Sequence, residues 1–382
     1  MRVLFVTAAW PSHYTFMVPL AWAWHSAGHE VRVCAQPAVT PSVLASGLAA
    51  VTTGPDLDFA ALHRSEVAGD ADRQYRAKDS IVRMFHQVAD LMVDDVVAFA
   101  RSWRPDLIIR DPVAFAASVA AEAIGVPLIR HAWGPDIFGT DQGAWLAHQM
   151  RDRLAPAYAR HGAAVPEAFD ALVVDPTPAS VRLVSPQRCV PVRYVPYNGP
   201  GTVPPWALTA GPRPRVLVTG GTSNSTAADD QAMFTLPTVI GALGDLDVEV
   251  VVAVTAADRA LLGDVPDGVR VVRDLPLHTL LPTCSAVVHH GGASTWMTAA
   301  YEGVPQVAVP QLFDQQLNTR LLARAGVGYP IETGTATAAT VRTGVTEVLR
   351  EDSYRVAAAR LREEILAEPT PTEVVHQLTR WR

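Results

Sequence analysis

The sequence predicts an α/β protein made of two doubly wound parallel-sheet domains. Three observations carry that prediction: a strand, helix and strand open the chain, the same plan restarts near residue 215, and a proline- and glycine-rich stretch separates the two. With 382 residues, 49% of them apolar, the chain is long enough for two cores of ordinary domain size.

The elements follow in order. Val3-Leu4-Phe5-Val6 is a continuous apolar run, Val18 to Ala27 has helical spacing ended by Gly28, and Val31 to Ala35 is a second strand. Their spacing implies a right-handed crossover and parallel pairing. Asp79 to Ser102 is a long amphipathic stretch, Pro105 to Ile109 reads as a strand, Phe115 to Ala123 as a helix stopped by Gly125, and Val126 to Ile129 as the next strand. Tyr197 to Pro214 crowds prolines and glycines with little apolar period and reads as a linker, which sets the domains at 1–205 and 206–382. Strands at Arg215 to Val218, Glu249 to Val254 and Ala286 to Val288 rebuild the plan beyond it. A charged helical tail from about Ser353 either packs in its own domain or crosses back to the first.

Composition narrows the function. A net charge of −7 offers no cationic field for nucleic acid. Cys34, Cys189 and Cys284 are scattered, without a zinc or disulfide pattern, which fits a reducing cytoplasm. The apolar run Val3 to Trp10 is too short for a secretory core, and nothing approaches a membrane span. Small-molecule partners are therefore expected, with no stable membrane insertion, and a homodimer remains open.

In open α/β sheets ligands collect beyond the carboxyl ends of the strands, and two such domains would frame a cleft, so the strand-end loops are the expected site of function. His290-Gly291-Gly292-Ala293-Ser294-Thr295 sits between a strand and a helix. Glycines permit close backbone approach, first-turn amides point at the ligand, and Ser294, Thr295 and His290 add donors, which suits a diphosphate. A plain tight turn with a capped helix is the competing view. Asp314-Gln315, one helix further on, pairs a carboxylate with an amide, a combination suited to sugar hydroxyls, although Asp314 would also serve as a helix cap. Thr222 and Ser223, after Gly220-Gly221, could close over the same diphosphate, but the loop lacks a P-loop lysine and a dinucleotide fingerprint. His13 precedes the first helix and could act as a general base, with Asp111, leaving a neighbouring strand, as the carboxylate behind it. An ordinary surface histidine is the competing view. Trp10, Phe16, Met84, Phe85, Trp133 and Phe138 are candidates for an apolar acceptor pocket or for core.

These residues bring a resemblance. Pro19 to Ala23 with Ala27-Gly28-His29-Glu30-Val31, Arg104 to Ile108, Arg193-Tyr194-Val195-Pro196-Tyr197-Asn198-Gly199-Pro200, Leu277 to Cys284 and Val288 to Thr295 resemble the GT-B nucleotide-sugar glycosyltransferases of actinobacterial antibiotic biosynthesis, over nearly the whole chain. The resemblance implies two Rossmann-like domains facing each other across a cleft. It implies that His290 and Thr295 contact the donor diphosphate, that Asp314 and Gln315 hold the sugar, that the nucleotide base lies near Leu275, and that His13 is the base, backed by Asp111. Ser12 stands where the family has glycine. The implied reaction is a single inverting displacement without a metal or other cofactor. Its donor would be a nucleotide diphosphate sugar, as in dTDP-deoxyhexoses, and its acceptor an apolar polyketide aglycone. Since relatives that make C-glycosides replace the histidine with a carboxylate, His13 favours an O-glycoside. A nucleotide-sugar epimerase and a binding protein without turnover are the competing readings.

Overall fold

The structure, a computed structural model, describes all residues except Ala9, 58–72, 222–235, 256–258, 260–261, Leu312 and Arg382, and only the backbone of 73–78 and Phe313. The chain forms two compact units. One comprises Met1–Thr177, Arg182–Val192 and Pro369–Arg382, the other Pro178–Val181 and Arg193–Glu368.

The first unit holds a seven-stranded parallel sheet, β1 (Arg2–Val6), β2 (Glu30–Ala35), β3 (Ala50–Thr52), β4 (Leu107–Arg110), β5 (Leu128–His131), β6 (Leu172–Asp175) and β7 (Cys189–Pro191), in the order 3-2-1-4-5-6-7. Its helices are α1 (Pro11–Ser26), α2 (Thr40–Ala45), α3 (Arg73–Trp103), α4 (Ala116–Ile124) and α5 (Asp141–Arg160). Val3, Leu4, Phe5, Val6, Ile108 and Ile109 are fully buried, as expected of strands covered on both faces. Val93, Val96, Val119 and Leu154 close one face over Leu4, Val6 and Ile108.

The second unit repeats the scheme with six parallel strands, β8 (Arg215–Thr219), β9 (Glu249–Val254), β10 (Arg270–Arg273), β11 (Ala286–His289), β12 (Gln306–Ala308) and β13 (Gly328–Pro330), in the order 10-9-8-11-12-13. Its helices are α6 (Leu236–Leu243), α7 (Leu277–Leu280), α8 (Ala293–Glu302), α9 (Phe313–Arg324), α10 (Ala338–Arg350) and α11 (Asp352–Ala367). The tail then divides. A capping box between Thr370 and Glu373 starts α12 (Pro371–Arg380), which belongs to the first unit and packs on α1.

In both sheets the strand order reverses at the first strand. β1 lies between β2 and β4, and β8 between β9 and β11. The chain ends leaving β1 and β4, or β8 and β11, therefore flank the position where doubly wound sheets take ligands. Among the described residues no helix is long and apolar enough to cross a membrane.

Two helices begin earlier than the sequence pattern indicates, α3 at Arg73 instead of Asp79, and α1. The first helix starts at Pro11, not at Val18, because proline suits the opening position: its fixed φ is helical and its missing N–H is not needed there. His13 is thus inside the first turn of α1 instead of in a loop before it.

Candidate functional site

The first unit's switch point is built from side chains. Asp111 follows β4 immediately and is 1% exposed. Its Oδ2 accepts from Thr7 Oγ1 at 3.0 Å and from the Ala8 amide at 2.7 Å; its Oδ1 accepts from the amides of Val113 at 2.8 Å and Ala114 at 3.1 Å. One carboxylate therefore ties the end of β1 to the turn after β4. Arg110 braces that turn, donating to the carbonyl of Pro112 at 2.7 Å while gripping Asp170 with two 2.7 Å bonds. Burial pushes the Asp111 carboxyl up to about 6, against those amides, the Thr7 hydroxyl and nearby Arg110.

His13 stands in front of this carboxylate. Its Nδ1 lies 3.9 Å from Asp111 Oδ1, beyond hydrogen-bond range, and has no hydrogen-bond partner among the described residues. Burial pushes the imidazole down to about 3, so the ring is neutral. It stacks on Trp133 at 3.7 Å between centroids and lies 4.9 Å from the Trp10 ring. Phe85 meets Trp10 edge-on at 6.4 Å and Phe138 meets Trp133 edge-on at 5.4 Å, which completes an aromatic row around the histidine. Phe16 is buried in α1, 7% exposed, and Met84 is partly buried in α3. A cavity of about 230 Å³ in the same unit is lined by Arg110, Arg130, Phe115, Phe138 and Asp170. Of the row it shares Phe138, and its lining does not include His13.

Backbone builds the second unit's switch point. After β11 the chain turns at Gly291, φ +86°, and enters α8 with Gly292 as a cap that has no side chain to offer the first amides. The His290 ring is wedged between Gly221 and Gly292, and a Cβ on either glycine would strike it. Gly221, at φ +74°, also needs the left-handed conformation that glycine adopts without strain. His290 is 4% exposed, burial holds its imidazole down to about 3, and its buried Nδ1 has no partner among the described residues. Uncapped amides, glycines and an unpartnered imidazole together can hold an anion. Thr295 is buried in the first turn of α8, and the carbonyl of Ser294 is taken by Thr298 Oγ1 at 2.7 Å.

Asp314 lies within the first turn of α9, not at its cap, and burial raises its carboxyl against the amides of that turn. Gln315 is 3% exposed and its Oε1 accepts from the Gln311 amide at 2.9 Å. Leu275 turns its side chain into the core beside Leu217, Val251 and Leu280. Thr222 and Ser223 lie outside the described residues.

Several contributors have no counterpart in the sequence reading. Arg110, next to Asp111 in sequence, braces the turn after β4 and is itself held by the distant Asp170. His289, one residue past the expected strand Ala286 to Val288, ends β11 and is fully buried, with Nε2 2.8 Å from Gln306 Oε1. Asn318 donates to the Gly291 carbonyl at 2.9 Å. Its position four residues beyond Asp314, on one helical face, was the available signal.

Comparison with known proteins shows the family and the fold. The two family models described as "Erythromycin biosynthesis protein CIII-like", N-terminal and C-terminal domains, match residues 22–221 and 237–380. Among curated proteins, 10-deoxymethynolide desosaminyltransferase of Streptomyces venezuelae is 38% identical, covering 100% of this chain and 97% of the relative. Tylactone mycaminosyltransferase of Streptomyces fradiae is 40% identical, covering 100% and 92%. Among solved structures, the glycosyltransferase VinC in complex with dTDP superposes with a TM-score of 0.85 at 34% identity, covering 100% of this chain and 99% of that one. The spinosyn rhamnosyltransferase SpnG with thymidine diphosphate gives 0.85 at 30% identity, covering 99% and 100%. With both sheets in doubly wound order and relatives alike over the whole chain, the protein belongs to the erythromycin biosynthesis protein CIII-like family and is a glycosyltransferase of GT-B fold.

Proposed function

We propose that the enzyme transfers a deoxyhexose from a dTDP-sugar to a hydroxyl of an apolar polyketide aglycone, by single displacement with inversion and without a metal. One observation carries this reading: a neutral His13, set in an aromatic row, with the Asp111 carboxylate 3.9 Å behind its Nδ1. A neutral ring can accept a proton at Nε2, and the imidazolium that forms is stabilised by the carboxylate behind it. The row formed by Phe85, Trp10, Trp133 and Phe138 suits a flat or macrocyclic apolar acceptor. His13 takes the hydroxyl proton as the oxygen attacks the anomeric carbon. The leaving diphosphate gains charge, which the amides at the start of α8, Thr295 and His290 are suited to hold in place of a metal. Asp314 and Gln315 would orient the sugar, and the turn at Leu275 the base. The names of the relatives, a 10-deoxymethynolide desosaminyltransferase and a tylactone mycaminosyltransferase, and the thymidine diphosphate bound by VinC and SpnG support the choice of donor and acceptor class.

The test incubates wild type and His13→Ala with dTDP- and UDP-sugars, a panel of polyketide aglycones and a chelator, following free nucleotide diphosphate, product mass and anomeric configuration. Aglycone-dependent release of dTDP with an inverted product, lost in the variant, is expected. Interconversion of free nucleotide sugar without an acceptor would sink the reading, as would dependence on added metal.

A further inference from the structure

Gly291 is held by both ends of its peptide unit. Its N–H donates to His289 Nδ1 at 2.9 Å, so that nitrogen carries no proton and the proton sits on Nε2, which donates to Gln306 Oε1 at 2.8 Å. The Gln306 amide is oriented in turn, donating from Nε2 to the Trp296 carbonyl at 3.2 Å. Burial keeps His289 neutral, pushed down to about 4, and a second ring proton would face the Gly291 N–H head-on. On the other side the Gly291 carbonyl accepts from Nδ2 of Asn318, a residue 3% exposed on α9.

The electrostatic consequence concerns the anion. A peptide carbonyl is the negative end of a dipole, and one aimed at a diphosphate would repel it. Asn318 engages that carbonyl from α9, while among the described residues the amides opening α8 have no side-chain cap and the buried His290 Nδ1 has no partner. The contact also sets a distance. A Cβ on Gly291 would come within 3.0 Å of the Gln315 carbonyl oxygen and 3.1 Å of Thr319 Oγ1, so the loop and α9 touch with no room for a side chain. Asp314 and Gln315 occupy the first turn of that helix and Asn318 the next.

Resting on the diphosphate site proposed above, we infer that Asn318 is a positioning residue: by holding the Gly291 carbonyl against α9, with His289 locking the other end, it orients the loop for the diphosphate and keys the sugar-contacting turn to it. Asn318→Asp keeps the shape but replaces the donor with an acceptor facing a carbonyl; Asn318→Ala removes the donor without adding charge.

Calorimetry of wild type and both variants with thymidine, thymidine diphosphate and a dTDP-sugar tests this, beside thermal unfolding of each. The expected result is a loss of about tenfold or more in thymidine diphosphate affinity, larger for Asp than for Ala, with thymidine affinity unchanged. An equal loss for thymidine and its diphosphate would mean a merely structural role and would overturn the inference. So would unchanged diphosphate affinity in both variants while His290→Ala weakens it, an outcome that leaves the diphosphate site itself standing. Failure of wild type and His290→Ala to differ toward the diphosphate would remove the site and the inference together. Should both variants fail to fold, ring-nitrogen NMR of wild type near neutral pH decides. A His289 unprotonated at Nδ1, with a diphosphate-induced shift of the Asn318 side-chain amide, supports the clamp; a proton on Nδ1 overturns it.

Discussion

The two switch points occupy the same place in the same strand order, yet they are made of different material. In the first unit, side chains do the work: Asp111 collects four donors, and Trp10, His13, Trp133 and Phe138 form a contiguous aromatic surface. In the second, glycines and helix amides do it, and His290 fits because Gly221 and Gly292 have no side chains. A diphosphate presents the same charge whatever sugar it carries, so main-chain dipoles are an adequate reader. An apolar acceptor is distinguished by shape, which side chains must supply. The histidines sharpen the contrast. Burial holds both His13 and His290 down to about 3, but among the described residues only His13 of the two has a carboxylate within 4 Å to support a proton it gains.

The largest effect is expected where chemistry depends on that carboxylate-backed ring. His13→Ala should lower kcat by roughly 10²- to 10⁴-fold while leaving donor affinity within about twofold. If steady-state assays showed a loss below about tenfold, the base would have to be sought elsewhere and the contrast between the histidines would collapse. His290→Ala should act on the other ligand, weakening thymidine diphosphate by about 10- to 100-fold in calorimetry, the usual cost of losing one donor to a charged group. Equal weakening by His13→Ala would erase the division of labour. Trp133→Ala removes the stack on His13 and should raise the acceptor KM by about tenfold without moving diphosphate affinity.

The smallest effect concerns what the two regions share. His13, His131, His289 and His290 are all held neutral by burial, at about 3 or 4 against 6.5 when unfolded. The unfolded chain therefore binds more protons over that window, and stability is lost as pH falls through it, at about 1.4 kcal/mol per pH unit for each ring fully titrating. Asp111 and Asp175, raised to about 6 from 3.8, oppose this because their folded forms hold protons more tightly between those values. A net loss on the order of 1–2 kcal/mol is expected in denaturant titrations between about pH 7 and about 6.2. His13→Ala and His290→Ala should flatten the profile alike; a pH-independent midpoint would show that the rings titrate normally.

Much of the frame was legible in sequence because it is local. Val3 to Val6, Glu249 to Val254 and Ala286 to Val288 are apolar runs whose burial on both faces follows from the run itself, and Gly291-Gly292 before a helix carries its own backbone chemistry. Strands of three residues such as β3, β7 and β13 are too short to show a period, and α5, with Gly143 and Pro156 inside it, was hidden by residues that usually break helices. The start of α1 was missed because the apolar period begins only after its first turn, while Pro11 marks the true opening.

By itself, then, the sequence determined the strand and helix content, the duplicated plan and the residue types at each strand end, since periodicity and loop chemistry act over a few residues. Tertiary structure alone decided which ends meet: that Asp111 bonds the end of β1 and faces His13, that Arg110 grips Asp170, that Asn318 reaches the Gly291 carbonyl across 27 residues, and that α12 returns to α1. Those pairings depend on strand order and on which buried polar groups are left to satisfy once the sheets have closed, and neither is written in any local pattern.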